Sequence, residues 1–387
     1  MSGVAKRSIK PAPSPLAAPE YEAIIVGTGF GGMGAAIQLQ RMGVSSILML
    51  DRADDLGGTW HLNTYPGIAV DIASVTYSYS FEPNPHWSRL YAPGRELKAY
   101  ADHVAQKYGL RRYMRFNSAV AKTVYDEAGK FWTVYPENQP PVTARILILA
   151  TGYLSQPKRP DIPGLDDFAG KTIHTAEWDH EYDLSGKRAA VIGTGATSVQ
   201  LLPEIAPQLA HMDVYQRTPI WVVPKPDLSI PPLVRGLFSA LPVTQKLARH
   251  TSSAILEAVM VTGALYNREL PMLTKAAEQL ARTHMRRVIK DPVLRDKLTP
   301  DYSFGCKRPT FSNTYYPVFN RGNVELVTDA IDHITADGIV TRDGRKREID
   351  TLILATGFKF WEKGNFPPFP VAGRDGHDLG DWWMQNT

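Results

Sequence analysis

Cysteine is almost absent, since the chain of 387 residues contains one, Cys306. A single thiol cannot form a disulfide within the chain, so the disulfide framework of a small secreted domain is excluded. A redox-active cysteine pair within the chain is excluded for the same reason. This usage is typical of a reducing compartment, and we predict a cytoplasmic protein.

Long apolar runs are also lacking. The longest candidate, residues 255–265, is short and already carries Glu257. A helix that crosses a bilayer needs about 20 consecutive apolar residues. We therefore expect no membrane span.

The N-terminus lacks the pattern of a secretory signal, because Lys6, Arg7 and Lys10 precede a Pro/Ala/Ser stretch instead of an apolar core. We expect residues 1–20 to form a disordered tail. The whole chain has 43 basic and 39 acidic residues, and the tail supplies two of its four net positive charges. A balance this even gives no indication of nucleic-acid binding.

The first ordered segment reads as a buried strand, a glycine-rich turn and a helix. Residues 21–26 are mostly apolar, Gly27, Gly29 and Gly32 form a Gly-x-Gly-x-x-Gly turn, and a helix-like run begins at Met33. Such glycines permit a tight turn and let the backbone approach a pyrophosphate at the helix N-terminus. We call this turn the first cradle.

The pattern recurs later in the chain. Residues 188–192 form an apolar strand that leads into Gly193, Gly195 and Ser198, and a helix follows from Val199. Serine replaces the third glycine, which is tolerable because that position mainly needs a small side chain. We call this turn the second cradle.

The residue after the next strand has opposite charge in the two copies. Asp51 lies 24 residues after Gly27, and Arg217 lies 24 residues after Gly193. A carboxylate can accept hydrogen bonds from ribose hydroxyls but repels a 2′-phosphate, which a guanidinium binds with two hydrogen bonds. The first cradle is therefore expected to bind a dinucleotide without that phosphate, and the second to prefer NADPH.

A third repeat indicates the domain organisation. Residues 145–152 and 350–357 both read as buried parallel-type strands that end in Ala-Thr-Gly, and each follows one cradle. We predict an α/β protein with two Rossmann-like dinucleotide-binding domains, the NADPH domain inserted into the domain of the first cradle. We call the latter the FAD domain, because FAD is a dinucleotide without a 2′-phosphate that accepts a hydride from NADPH. The expected segments are a tail at 1–20, the first part of the FAD domain at 21–155, a linker at 156–186, the NADPH domain at 187–226 and 300–356, a helical excursion at 227–299, and a return to the FAD domain at 357–387.

The helical excursion carries apolar residues at helix-like spacing. Three helices are predicted, over residues 237–250, 253–265 and 275–289. Tyr315, Tyr316 and Trp221, which lie in and near the second domain, are interpreted as packing residues more than as a substrate cage.

A dinucleotide without a 2′-phosphate together with NADPH indicates hydride transfer from nicotinamide to flavin, with FAD in the first cradle. Disulfide reductases pass the electrons to a cysteine pair, which this chain lacks. Oxygenases pass them to O2 and form a flavin peroxide. The cysteine count favours the oxygenases.

Three motifs resemble the type I Baeyer–Villiger monooxygenases. Residues 168–179 fit the fingerprint Phe-x-Gly-x-x-x-His-x-x-x-Trp-(Pro/Asp), residues 57–60 with 65–67 and Asp71 fit a second fingerprint, and residues 307–321 are similar as well. The resemblance runs from about residue 21 to residue 380. It implies a monooxygenase that inserts one oxygen atom of O2 beside a ketone carbonyl, giving an ester or lactone through a C4a-peroxyflavin.

The resemblance also implies roles for single residues. Arg308 corresponds to the catalytic arginine and Asp71 to the acid that holds it, and we expect such an arginine to be buried with its partner. Lys307 would assist Arg217 at the 2′-phosphate, while His174 and Trp178 would support domain coupling. The remaining expected cofactor-binding residues are Thr59, Trp60, Tyr77 and Val120 for the flavin, and Thr194, Ala196, Thr197, Gln200 and Thr218 beside the second cradle.

Two alternatives stay open from the sequence. The chain could oxidise nitrogen or sulfur in place of ketones, or it could be an uncoupled or non-catalytic remnant. The second alternative rests on the C-terminus, because relatives continue well beyond residue 387 and the chain is expected to be truncated with an incomplete FAD domain. The substrate, beyond a ketone or related small molecule and O2, and the oligomeric state are not predicted.

Overall fold

The computed structural model describes residues 18–258 and 271–386, except residues 361, 363 and 366. The chain divides into two compact units: unit 1 comprises residues 1–55, 109–152 and 361–387, and unit 2 comprises residues 56–108 and 153–360. Residues 1–17 of the predicted tail and 259–265 of a predicted helix lie outside the described residues. Within the described ranges no helix combines the length and hydropathy needed to cross a membrane.

Strands and helices alternate along much of the chain. The strands are β1 (Tyr21–Val26), β2 (Ile47–Leu50), β3 (Met114–Arg115), β4 (Val120–Asp126), β5 (Phe131–Pro136), β6 (Val142–Leu149), β7 (Lys171–His174), β8 (Arg188–Ile192), β9 (His211–Tyr215), β10 (Val222–Val223), β11 (Thr310–Phe311), β12 (Val324–Val327), β13 (Ile331–Thr335), β14 (Gly338–Thr341), β15 (Lys346–Glu348), β16 (Thr351–Leu354) and β17 (Val371–Ala372). The described α-helices are α1 (Phe30–Arg41), α2 (Thr59–Leu62), α3 (Gly94–Lys107), α4 (Ala196–Ile205), α5 (Pro232–Ala240), α6 (Pro242–Leu256), α7 (Pro271–Val288), α8 (Pro292–Leu298), α9 (Tyr315–Val318) and α10 (Leu379–Asn386).

Unit 1 is built on a seven-stranded sheet in the order β17-β4-β5-β6-β1-β2-β3. Strands β6, β1, β2 and β3 are parallel, whereas β4, β5 and β6 form an antiparallel meander. Strand β17 pairs with β4, so the C-terminal segment adds a strand to this sheet. One expectation is wrong: β6 is not fully buried, because Arg145 and Ile146 are exposed, Ile146 by 45%.

Unit 2 is built on a five-stranded sheet in the order β12-β9-β8-β16-β7, parallel throughout. Strand β16 is fully buried and apolar apart from its first residue, as expected for a parallel strand covered on both faces. Helices α4 and α9 contribute to one core of this unit. The strands β13, β14 and β15 form a separate three-stranded antiparallel sheet, which shares an apolar core with the main sheet. The predicted α/β class is confirmed.

The largest differences between the structure and the predicted domain organisation concern two segments. Residues 56–108 were predicted with the first nucleotide domain but belong to unit 2. The predicted linker at 156–186 contributes β7, the edge strand of the unit 2 sheet. Both segments are held by contacts that are distant in sequence, which a reading along the chain does not show.

The predicted helix over residues 237–250 is wrong. Helix α5 ends at Ala240 and α6 begins at Pro242, with Leu241 at φ −129° and ψ 80° between them. Proline is favourable at the first position of a helix, but inside one it removes a hydrogen bond and clashes with the preceding turn. Helix α6 then continues without a break past Ser253, where a new helix was predicted.

Candidate functional site

The first cradle in unit 1 has the backbone geometry of a pyrophosphate-binding turn. Gly27 has φ +112°, and a Cβ atom there would lie 2.3 Å from the carbonyl oxygen of Ala150. A Cβ atom on Gly32 would lie 1.9 Å from the carbonyl oxygen of Gly27. Gly29 precedes α1 without a side-chain cap, and the first turn contains no acid. The helix N-terminus therefore presents partial positive charge to an anion.

Asp51 lies beside this turn, directly after β2. One carboxylate oxygen accepts hydrogen bonds from the backbone amide of Thr28 at 2.7 Å and from its hydroxyl at 2.6 Å. The other oxygen accepts a bond from the amide of Ala53 at 3.0 Å. The acid is thus fixed next to the glycine-rich turn. Val120, at the start of β4, packs in the apolar core of unit 1.

The second cradle in unit 2 repeats the geometry of the first. Gly193 has φ +113°, and a Cβ atom there would lie 2.5 Å from the carbonyl oxygen of Ala355. Ser198 is fully buried and its hydroxyl donates to the carbonyl oxygen of Gly193 at 2.7 Å. Gly195 precedes α4 without a side-chain cap. Serine fits at the third position because it closes the turn with its own hydrogen bond.

Arg217 follows β9 and is exposed, and its neighbours are fixed on both sides. The buried side chain of Gln216 donates to the carbonyl oxygen of Lys297 at 2.7 Å. The hydroxyl of Thr194, within the second cradle, donates to the carbonyl oxygen of Thr218 at 3.2 Å. The chain at residues 216–218 is therefore held beside the second cradle, at the place that Asp51 occupies beside the first.

Arg308 and Asp71 form an ion pair in unit 2, with a guanidinium nitrogen 2.5 Å from a carboxylate oxygen. The expectation that the arginine is buried is wrong, because its side chain is 64% exposed and that of Asp71 is 36% exposed. The arginine lies in the loop between α8 and β11, where Lys307 places its ammonium 4.8 Å from the ring centre of Tyr302. Exposed ion pairs contribute about 0–1 kcal/mol to stability, so this pair fixes a geometry more than it stabilises the fold.

Trp60 and Tyr77 form an aromatic pair in unit 2. The indole nitrogen donates to the tyrosine hydroxyl at 3.1 Å, and the rings meet edge to face with their centres 5.5 Å apart. Thr59 begins the short helix α2 that carries Trp60. Burial raises the pKa of Tyr77, and the charge of Asp71 raises it further. The phenol therefore stays protonated near neutral pH.

Three further residues near Asp71 were not predicted as site residues. Burial raises the pKa of Tyr65 to about 12 and also raises that of Tyr91, and the charge of Asp71 adds to both shifts. Burial lowers the pKa of Lys225, whose ammonium lies 5.0 Å from the ring centre of Tyr91 and 3.6 Å from a carboxylate oxygen of Asp227. Tyr65 belongs to a motif quoted above, whereas Tyr91 and Lys225 carry no sequence signal.

Gln200, on the second turn of α4, binds the segment that leads to Asp71. Its amide oxygen accepts hydrogen bonds from the hydroxyl of Tyr65 at 3.0 Å and from the backbone amide of Ala69 at 3.3 Å. Its amide nitrogen donates to the carbonyl oxygen of Ala69 at 3.0 Å. Gln200 was predicted to bind the cofactor, and in the structure its amide makes these three hydrogen bonds within the chain.

The fingerprint at residues 168–179 is tied into unit 2. Phe168 packs in one apolar core and Trp178 against another. A Cβ atom on Gly170 would lie 2.6 Å from the carbonyl oxygen of Asp350, so only glycine fits there. His174, at the end of β7, accepts a hydrogen bond on Nδ1 from the amide of Ala176 at 3.1 Å. Tyr315 and Tyr316 are buried in the second of these cores and Trp221 is buried in a third, which supports their interpretation as packing residues.

Known proteins share this architecture. A family model described as pyridine nucleotide-disulphide oxidoreductase matches residues 24–267. A Baeyer–Villiger monooxygenase of Pseudomonas aeruginosa is 42% identical over 96% of this chain and 70% of its own length. A second protein of that name, from Streptomyces coelicolor, is 42% identical over 93% of the chain and 68% of its own length. The chain belongs to the Baeyer–Villiger monooxygenases.

Solved structures agree with this membership. A steroid monooxygenase bound to NADP superposes with a TM-score of 0.83 at 32% identity, covering 94% of this chain and 76% of its own. The OTEMO complex with FAD and NADP also reaches 0.83, at 31% identity over 95% of this chain and 76% of its own. An open form of cyclohexanone monooxygenase reaches the same TM-score at 31% identity over 94% of this chain and 78% of its own. The predicted Baeyer–Villiger family, the two Rossmann-type domains and the class of FAD- and NADPH-dependent monooxygenase are confirmed.

Proposed function

We propose that this Baeyer–Villiger monooxygenase converts a ketone, O2, NADPH and a proton into an ester or lactone, NADP+ and water. The observation that carries this proposal is the ion pair of Arg308 and Asp71. It holds a permanently charged guanidinium in a fixed position in the unit that contains the second cradle. Such a group serves a reaction in which negative charge develops on oxygen.

The backbone of each cradle fits a bound dinucleotide. At Gly27 and Gly193 a side chain would collide with a neighbouring carbonyl group, and α1 and α4 both start without a side-chain cap. We assign FAD to the first cradle, with Asp51 toward its ribose, and NADPH to the second. FAD, when bound, supplies the chemistry that takes a hydride from nicotinamide and activates O2.

The charged residues of unit 2 divide the work of binding and reaction. Arg217 binds the 2′-phosphate of NADPH with help from Lys307, since two cations favour a group of about two negative charges. Arg308 stabilises negative charge on the substrate oxygen while the migrating bond breaks, and Asp71 orients the guanidinium. Further cofactor contacts are proposed for Thr59, Trp60, Tyr77 and Val120 at the flavin, and for Thr194, Ala196, Thr197 and Thr218 at NADPH.

A permanently charged arginine suits this role better than lysine. The planar guanidinium donates to Asp71 through one nitrogen and retains other N–H groups for the substrate. An ammonium group is a compact point charge and cannot make the same forked contacts. We also propose a cytoplasmic location, which rests only on the single cysteine.

Replacement of Arg308 tests the function. The unmodified protein, supplied with FAD and NADPH, is assayed on a panel of cyclic ketones and on a thioether. We expect ester formation from at least one ketone, and loss of at least about 100-fold in that rate for Arg308→Ala and Arg308→Lys, because a charged hydrogen-bond donor is lost or misplaced. The matched control is Arg286→Ala, which removes an exposed arginine from α7. Ester formation at the normal rate by Arg308→Ala would overturn the role, and oxidation of the thioether alone would indicate a heteroatom oxygenase.

A further inference from the structure

We propose that Gln200 is a positioning residue that ties Asp71 to the helix of the second cradle. The inference rests on the proposed function, in which Asp71 orients Arg308. It starts from the three hydrogen bonds that the Gln200 amide makes to Tyr65 and Ala69, across 135 and 131 residues of sequence. Ala69 lies two residues before Asp71.

The first half of the tie is built around Tyr65. This side chain is 9% exposed, and its hydroxyl donates to the amide oxygen of Gln200 at 3.0 Å. Burial raises the pKa of Tyr65 to about 12, so the hydroxyl keeps its proton near neutral pH and remains a donor. The Gln200 side chain of α4 therefore holds this buried tyrosine.

The second half of the tie is a close backbone approach. Gly67 has φ +82°, and a Cβ atom there would lie 2.4 Å from the carbonyl oxygen of Gln200. Residue 67 must be glycine for the segment to lie this close to α4. The side chain of Gln200 then pairs with both the amide and the carbonyl group of Ala69, as a neighbouring strand would.

The residues that connect Ala69 to Asp71 are also held in place. Val70 is 2% exposed and its amide donates to the carbonyl oxygen of Ala92 at 3.0 Å. Asp71 follows at once and pairs with Arg308. Every residue from 69 to 71 is thus held by a specific contact, and the carboxylate cannot shift without breaking one of them.

The tie has a consequence for the reaction. Helix α4 begins after Gly195, where we place the pyrophosphate of NADPH, and Gln200 lies five residues after that glycine. One ten-residue helix therefore holds the proposed cofactor at its N-terminus and the segment of Asp71 on its second turn. A cofactor that orders the start of α4 also orders Asp71, and with it the orientation of Arg308.

Only a carboxamide of this length satisfies all three contacts. Gln200→Met keeps the length but leaves the Tyr65 hydroxyl and both backbone groups of Ala69 without their partner. Gln200→Glu keeps an acceptor for Tyr65 and the Ala69 amide but cannot donate to the Ala69 carbonyl group. Glu204→Gln is the matched control, since Glu204 is exposed one turn further along the same helix.

Hydrogen exchange of the full chain with FAD, with and without NADP+, tests the proposal. In the unmodified protein NADP+ is expected to slow exchange in a peptide spanning residues 66–72. In Gln200→Met that peptide should exchange at least about tenfold faster, the factor expected for a lost hydrogen bond of ordinary strength, and NADP+ should no longer slow it. Gln200→Glu should lie between these two, and Glu204→Gln should match the unmodified protein.

Steady-state kinetics supplies the second readout. We expect Gln200→Met to consume NADPH with a KM within about threefold of normal, while peroxide replaces ester as the product. A large rise in KM with unchanged coupling would show that Gln200 serves the cofactor directly and would overturn the proposal. Unchanged exchange in the 66–72 peptide would also overturn it. If the unmodified protein made no ester while the exchange pattern appeared as expected, the proposed function would fail and the tie would stand.

Discussion

At the scale of single residues, the most informative feature is the opposite charge at matching positions beside the two cradles. The first cradle has Asp51 at this position and the second has Arg217. Asp51 bonds directly to Thr28 of the first turn. In the second copy the bond from Thr194 goes to the backbone of Thr218, which leaves the side chain of Arg217 exposed and available to a ligand. The same position can therefore select for or against a 2′-phosphate.

We predict that Arg217→Ala loses its preference for NADPH over NADH. A hydrogen bond to a charged group contributes about 1.5–3 kcal/mol, so the ratio of the two affinities should fall about ten- to a hundredfold. Lys307→Ala should have a smaller effect in the same direction. The measurement compares KM for both nucleotides, with Arg286→Ala as control. An unchanged ratio in Arg217→Ala would contradict the assignment.

His174 leads to a prediction about pH. Burial lowers its pKa from the ordinary value of 6.5. The charge of Glu177 and the carbonyl groups of Gly357 and Lys158 raise the pKa, but their effect is smaller than that of burial. The unfolded chain therefore binds this proton more readily than the folded chain. The stability contributed by the neutral imidazole is present above about pH 6.5 and is lost as the pH falls through the folded pKa.

Thermal unfolding between about pH 5 and 7.5 measures this dependence, the range in which histidine titrates. The unmodified protein should lose more stability on acidification than His174→Asn, which cannot take up that proton. His86→Asn, at an exposed histidine, should behave as the unmodified protein does. Equal slopes for the unmodified protein and His174→Asn would show that the buried histidine titrates normally.

At the scale of elements, the two glycines of the second cradle have different tasks. Gly193 has φ +113° and no room for a Cβ atom, whereas Gly195 is followed by α4 and has open space beside it. We predict that Gly193→Ala destabilises unit 2, by about 1–3 kcal/mol or more, because the strain of a positive φ adds to a backbone collision. Gly195→Ala should keep the stability but weaken NADPH binding, since its methyl group faces the place of the pyrophosphate.

Two measurements on each variant test this prediction. The first is the free energy of unfolding in the absence of nucleotide, and the second is the affinity for NADPH. Loss of stability in Gly193→Ala together with normal stability in Gly195→Ala would support the division. Equal destabilisation by both variants would contradict it.

The elements also show what the sequence can and cannot predict. Both cradles, with strands β1 and β8 and their helices, were predictable because a strand, a glycine-rich turn and a helix are determined locally. The end of α5 before Pro242 was also predictable from the local sequence, because a proline disfavours the interior of a helix. The prediction missed it because the apolar periodicity continues across Pro242. The grouping of residues 56–108 with unit 2 depends on contacts such as Gln200 with Ala69, 131 residues apart, and on the three bonds from Arg249 to the backbone and side chain near Ser78. No local pattern encodes these.

At the scale of the whole molecule, the chain contains the two Rossmann-type dinucleotide-binding domains of the Baeyer–Villiger monooxygenases. It spans 70% of the length of a relative that is 42% identical to it. The candidate chemistry depends on charge placement, because the fold alone hosts many reactions. The exposure of Arg308 was not predictable from the sequence, since an ion pair with Asp71 gives no indication of how deeply both residues lie.

Isotope labelling tests the central claim most directly. The unmodified protein is supplied with FAD, NADPH, a cyclic ketone and O2 enriched in heavy oxygen, and NADPH consumption is compared with the mass of the product. The account predicts a lactone that carries one heavy oxygen atom, formed in step with the NADPH consumed. Consumption of NADPH with hydrogen peroxide as the product and the ketone unchanged would contradict it.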